Sequence, residues 1–130
     1  MAPSPPRDSD EIAMTQPAKS TPDTAPRRGE VWWVTLDSPE STGKTRLCVI
    51  LSRNVVNEYR HTVVVVPIWS SSAAHPPIRV PVNIVGRPSV AVVDQIRPVS
   101  KERLKSRLGM LTQPELDAIG DALRQILEIG

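Results

Sequence analysis

Short apolar runs rich in β-branched residues, each closed by glycine, proline or a polar pair, set the pattern of this chain. The run Leu47–Leu51 is the strongest of them. It follows a basic stretch, Gly43-Lys44-Thr45-Arg46, read as a short loop, and it ends at the turn-forming pair Arg53-Asn54. Its length and composition favour a strand, and its lack of alternation predicts a central strand covered on both faces. Arg46 then stands at the mouth of that strand. Glu30–Leu36 (EVWWVTL) is a second strong strand signal. Alternation puts Trp32 and Trp33 on opposite faces, both expected at the edge of the core. Thr62–Ile68 reads as a third strand and Trp69–Pro77 as a loop. Ile78–Ile84 alternates cleanly, and Pro81 confines it to a sheet edge. Gly86–Ser89 reads as a turn and Val90–Ile96 as a strand with polar Asp94 and Gln95 near its end. Pro98–Leu104 reads as turn, and Ser106–Leu111 as a last short strand. Asn54–Tyr59 is long enough for one helical turn.

Thr112-Gln113-Pro114-Glu115 is a capping-box pattern, with proline tolerated in the first helical turn. Leu116, Ile119, Leu123, Ile126 and Leu127 then fall on one helical face. This predicts a packing helix, to which no chemistry is assigned. The fold class is therefore mainly β with helices: five or six short strands closing a small barrel, flanked by a C-terminal amphipathic helix.

Composition narrows the picture. The 130 residues fit one domain, and with 39% apolar content and no Phe, the core is left to Val, Ile and Leu. Six of the fourteen prolines lie before Arg27, in a Pro/Ser-rich stretch without apolar periodicity. Residues 1–27 are expected to be a disordered tail and 28–130 the folded domain. The single cysteine, Cys48, excludes an internal disulfide and reads as a buried small hydrophobe. His61 and His75 are far apart, and no Cys/His cluster has metal-ligand spacing, so neither metal nor cofactor is expected. No apolar run reaches membrane-spanning length and the N-terminus lacks a signal-peptide core, which predicts a cytoplasmic protein without a membrane partner.

The formal charge of +2 hides an asymmetry. Between Gly43 and Arg107, eleven Lys and Arg face three acids, Glu58, Asp94 and Glu102, a net of about +8. A compact domain with a basic middle suits a polyanion such as nucleic acid.

Four motifs in register carry a family resemblance. They are Arg28-Gly29-Glu30-Val31-Trp32-Trp33-Val34, an arginine entering the second strand at Arg46, Val65-Val66-Pro67-Ile68 before a small polar stretch, and Val93-Asp94-Gln95-Ile96-Arg97 followed by Lys101-Glu102-Arg103-Leu104. Together with the terminal helix they resemble the MazF/PemK (Kid) toxins, from about Arg28 to the C-terminus. The resemblance implies an SH3-like barrel, a homodimer, and a metal-independent endoribonuclease that cuts single-stranded RNA at short sequences. It also implies a cognate antitoxin that covers the RNA groove.

Metal-free RNA cleavage uses the RNA's own 2′-OH as nucleophile. It needs a proton acceptor, a stabiliser for the charged phosphorane and a donor for the leaving 5′ oxygen. A guanidinium suits the second role, being always charged and offering a fork of donors. The resemblance places Arg46 on the family's catalytic arginine. Where the family often has a threonine, this chain has Trp69 followed by Ser70-Ser71-Ser72. Ser70 supplies the hydroxyl if the strand end shifts by one residue, and Trp69 either stacks on an RNA base or caps the barrel. Asp94 matches the acid that does proton transfer in the Kid branch. It reads as a base, as a partner orienting Arg46, or as a structural carboxylate holding a turn. The Kid histidine of the first loop is missing and Val92 stands where an arginine is expected, so the full Kid mechanism does not transfer. His75 is a loop histidine that either replaces the missing acid–base group or is simply solvent-exposed. Lys44, Thr45, Arg53, Trp69, Gln95 and Arg97 complete the expected RNA-binding set.

Two other functions fit the same barrel. A gyrase poison like CcdB relies on a tryptophan-bearing C-terminus, which this chain, ending Leu127-Glu128-Ile129-Gly130, lacks. A non-catalytic relative that binds RNA or titrates antitoxin is the other.

Overall fold

The computed structural model describes residues 25–36, 44–70 and 74–128. The expected tail up to residue 24, the loop 37–43 and the serine-rich positions 71–73 lie outside the described residues. Among these described residues seven strands and two helices follow in order: β1 (Glu30–Leu36), β2 (Lys44–Ile50), α1 (Asn54–Tyr59), β3 (Thr62–Trp69), β4 (Arg79–Ile84), β5 (Arg87–Val92), β6 (Arg97–Ser100), β7 (Leu104–Met110) and α2 (Gln113–Leu127). Single 3₁₀ turns, Val93–Gln95 and Lys101–Arg103, flank β6.

Every pairing is antiparallel, in the order β4-β5-β3-β2-β1-β7, with β6 also on β3. β3 is the branching strand. One edge pairs with β2 through Val65, Val66 and Pro67. The other edge pairs with β6 from Thr62 to Val65 and with β5 at Ile68 and Trp69.

The two-residue period of these strands builds two cores. Val31, Val49 and Val66 stand opposite one another and share one face with Val80, Val82, Ile84 and Ala91. That face is covered by Leu116, Ile119 and Ala122 of α2. On the other face Val34, Leu36, Cys48, Ile50, Val63, Val65 and Val99 pack together, with Trp32 and Leu104 at their border. This second cluster fills the inside of the curved sheet, so Cys48, Val49 and Ile50 are buried on both sides, as a central strand requires.

The structure corrects several boundaries. β2 starts at Lys44 rather than after Arg46, because Lys44, Thr45 and Arg46 pair with Leu36, Thr35 and Val34. The turn expected over Gly86–Ser89 is confined to Val85 and Gly86, and Arg87–Val92 is strand. Pro88 stands on the part of β5 with one free edge, where a strand tolerates proline. The strand expected to reach Ile96 stops at Val92, and the polar pair Asp94-Gln95 forms a 3₁₀ turn. The expected turn Pro98–Leu104 contains β6, whose Pro98 faces Val64. β7 begins at Leu104, not Ser106, and Leu127 on α2 is exposed.

Local hydrogen bonds fix the ends. Thr112 and Glu115 form the capping box of α2, and Glu115 Oε2 also accepts from the Asn83 backbone N–H at 2.6 Å, tying α2 to β4. Asn57, fully buried in α1, bonds Ser52 through both ends of its amide, and Ser52 Oγ accepts from Val64 N–H at 3.0 Å. Buried Glu30 accepts from Arg27 N–H at 2.9 Å and Trp32 Nε1 at 3.0 Å, with Arg107 at 3.7 Å. Gly29 donates to Ile50 O at 2.7 Å and accepts from Leu111 N–H at 2.9 Å. Its φ is +95°, and a Cβ there would lie 2.9 Å from Leu116 Cδ1.

Gly29→Ala is therefore expected to combine a left-handed backbone penalty of about 1–2 kcal/mol with displacement of Leu116. Thermal unfolding should show a Tm lower by several degrees. An unchanged Tm would mean that the joint between β1, β2 and α2 is slack.

Candidate active site

Arg46 stands opposite Val34, and directly opposed residues of an antiparallel pair share a face. Along β2, Ile50 and Cys48 lie within the inner core, and Arg46 and Lys44 continue the same face into solvent. The pairing of β2 with β3 ends at Cys48 and Pro67. Two residues further on, the same register sets Arg46 across from Trp69. There β3 turns to β5 instead, with Trp69 paired to Val90. The two strands part at this point, and Arg46 and Trp69 line the opening on one face.

Arg46 is exposed and has no hydrogen bond or carboxylate partner among the described residues. A salt-bridged surface arginine is thus not what these residues show. Trp69 is half-buried, and the Arg79 guanidinium lies over its ring, 4.9 Å from the centroid. Arg79 pairs with Val92, and Val90 and Val92 are buried on the same face as the stacked pair. The His75 and Arg79 backbones exchange two 3.0 Å hydrogen bonds, which anchor the start of β4, and the His75 side chain is exposed.

Arg97 opposes Val65 and therefore points to the inner face. Its Nε donates to Gln95 O at 3.3 Å. Burial pushes the Cys48 thiol up to about 12 from its ordinary 9.0, while the nearby Arg97 guanidinium pulls the other way. The thiol is a packing group, not a nucleophile.

The remaining expected residues are spread more widely. Thr45 faces away from Arg46 by strand alternation. Ser70 is exposed, one residue past β3. Asp94 is exposed in the 3₁₀ turn between β5 and β6, beside the edge of β3 that faces away from β2. Arg46 and Asp94 thus flank β3 from opposite edges and form no ion pair. Arg53 precedes α1, beyond the end of β2 opposite Arg46. Among the described residues no three of His, Cys, Asp and Glu gather as metal ligands.

Arg79 is the residue that sequence reasoning missed. Alternation in β4 marks it as outward-facing, but only the β3-β5-β4 register shows that outward means over Trp69.

Comparison with known proteins follows this geometry. The profile of the PemK-like, MazF-like toxins of type II toxin–antitoxin systems matches residues 27–127. The Staphylococcus epidermidis protein named Endoribonuclease MazF is 30% identical over 104 residues, covering 75% of this chain and 87% of that protein. The Mycobacterium tuberculosis toxin MazF-mt6 superposes with a TM-score of 0.65 at 25% identity, over 78% of this chain and 98% of its own. A mycobacterial endoribonuclease solved with its cognate antitoxin has a TM-score of 0.66 at 24% identity, over 82% and 97%.

The raised Cys48 pKa has a stability consequence. Between pH 9 and about 12 the folded thiol keeps its proton while the unfolded one loses it, so stability falls with rising pH. The loss should approach roughly 1.4 kcal/mol per pH unit in that window, relative to Cys48→Val. Denaturant titrations at pH 8, 9.5 and 10.5 measure it. Equal slopes for the two proteins would show that burial does not hold the thiol neutral.

Proposed function

The chain belongs to the PemK-like, MazF-like toxins of type II toxin–antitoxin systems, and we propose that it is an endoribonuclease toxin that cuts single-stranded RNA at short sequences without a metal ion. The observation that carries this reading is Arg46: exposed, without a partner among the described residues, and on one face with Trp69 and Arg97. The domain that does this is residues 28–130, and Arg27, whose backbone N–H bonds Glu30, joins its start. The family match from residue 27 supports that boundary.

In the proposed reaction the 2′ oxygen attacks the neighbouring phosphorus, the bond to the 5′ oxygen breaks, and a 2′,3′-cyclic phosphate remains. Arg46 meets the charge that builds on the equatorial phosphate oxygens. The attacking and leaving oxygens lie roughly in line, so acceptor and donor must reach the phosphate from different sides. Asp94, beyond β3, takes the 2′-OH proton, and the leaving 5′ oxygen, held by a hydrogen bond from the Ser70 hydroxyl, takes up a proton from water as its bond to phosphorus breaks. Lys44, Gln95 and Arg97 hold flanking nucleotides, whereas Thr45, which faces away from Arg46, and Arg53, at the far end of β2, fall outside this set. A mycobacterial relative was solved with its cognate antitoxin, which supports a cognate antitoxin as partner here; in this reading it covers the same basic face, and the toxin acts in the cytoplasm.

The active species is a homodimer. Val55, Val56 and Tyr59 of α1 are apolar and exposed, Tyr59 by 79%, and a domain this small gains from covering them. Light scattering at micromolar concentration should give twice the chain mass, and a monomer there would remove the dimer from this reading.

Arg46→Ala should lower single-turnover cleavage by about 10²-fold or more at saturating protein, with RNA affinity changed little. Arg46→Lys should rescue poorly, since a point charge cannot reproduce the guanidinium fork. A chelator should leave wild-type cleavage intact. Near-wild-type cutting by Arg46→Ala would reduce Arg46 to a phosphate contact.

A further inference from the structure

We propose that Trp69 and Arg79 form a nucleobase subsite next to the phosphate held by Arg46, and that this pair sets the base preference at one position beside the cut. The proposal rests on the RNA-cutting reading above. It adds a specificity-determining residue, Arg79, that the sequence motifs do not contain.

Three observations carry it. The first is position: the β2–β3 register sets Trp69 across from Arg46 on the same face. Each stands two residues beyond the last β2–β3 pair, Cys48 with Pro67, so both side chains border the same parting of the strands. The second is access. β3 leaves β2 before Trp69, so no β2 residue pairs over it, and the indole remains half-exposed with buried Val90 and Val92 beside it. The third is charge. Arg79 has no carboxylate partner among the described residues, and the contact of its guanidinium is the Trp69 π face. A planar guanidinium stacked on an aromatic ring keeps its edge N–H groups free for phosphate.

A guanidinium plane backed by an indole matches a single-stranded nucleotide: the base stacks on the outer plane of the guanidinium and a phosphate bonds its edge. A duplex base offers no such face, so the pair also selects unpaired RNA. A stack of this kind is tolerant of base identity by itself. Preference arises because the position is fixed between Arg46 and β4, where purine and pyrimidine rings differ in overlap.

Cleavage-site mapping on a pool of single-stranded transcripts tests this. Trp69→Leu and Arg79→Gln are suitable because the first keeps an apolar group beside Val90 and the second keeps a polar side chain without the charge. Each is expected to flatten the base preference at one position flanking the cut and to lower kcat/KM at preferred sites by roughly 5–100-fold. Trp69→Phe should restore most of both. Arg46→Ala should slow every site alike and leave the preference unchanged. If Trp69→Leu and Arg79→Gln, both folded by thermal melting, keep the wild-type preference, the pair is only a surface staple and the proposal fails while the enzyme reading stands. If the wild-type protein does not cut at all, the enzyme reading fails instead. Titration with a ten-nucleotide single-stranded RNA then decides the subsite: fluorescence quenching that disappears in Trp69→Leu supports it, and quenching that persists, or no binding, overturns it.

Discussion

The pairing of β3 on both edges is the constraint from which the rest of the molecule follows. Its eight residues hold β2 along one side and are shared between β6 and β5 along the other. The sharing makes the sheet curve on itself, because the chain has to leave the sheet at Val93–Gln95 and rejoin it at Arg97. Curvature then separates an inner core from a face covered by α2. A slip of one residue in β3 would exchange those two faces and take Trp69 and Arg46 out of alignment. The fully buried Val63, Val65 and Val66, packed on opposite sides, hold the register against such a slip.

The placement of charge follows the same geometry. Arg46, Arg79 and Arg97 share a face, yet no described carboxylate pairs with any of them. Their mutual repulsion is softened by solvent, since Arg46 is exposed and the other two are half-exposed. Among the described residues the one buried carboxylate, Glu30, sits four residues from Val34 on β1, about 13 Å along the strand. It is occupied by Arg27, Trp32 and Arg107. Acid is thus spent on the fold at one end of β1, and the opening at the other end stays positive for a polyanion. Cys48 follows the same division: two residues from Arg46, it is already so far inside that its thiol stays neutral.

Periodicity was enough to read the central strand Leu47–Leu51, the edge strand with Pro81, the capping box at Thr112 and the terminal helix, since each obeys one local rule. The misread segments, β5 and β6, hold prolines that read as turns. Pro88 and Pro98 are accommodated because β3 is shared, leaving each strand a free edge, and that sharing is a long-range fact absent from any short window. The site divides in the same way. Arg46 was legible because it continues the β2 pattern into solvent. That Asp94 stands across β3 from it, that Arg53 lies at the far end of β2, and that Arg79 meets Trp69 all depend on registers between distant segments.

Trp69 shows why a departure from the family's usual residue need not be a loss. The family often places a threonine at this position, where a small hydroxyl can serve the leaving group. In the proposed mechanism the hydroxyl comes from the next residue, exposed Ser70, and an indole stands at the threonine's place. The fold accepts the larger group because β2 no longer pairs there and because Arg79 crosses from β4 to lie over the ring. An unpartnered indole at an opening would expose apolar surface to water. Stacked under a guanidinium it backs a flat cationic plane whose edge N–H groups face outward. In the proposed reading, donor chemistry and base recognition then fall to adjacent residues, Ser70 and Trp69, at one strand end.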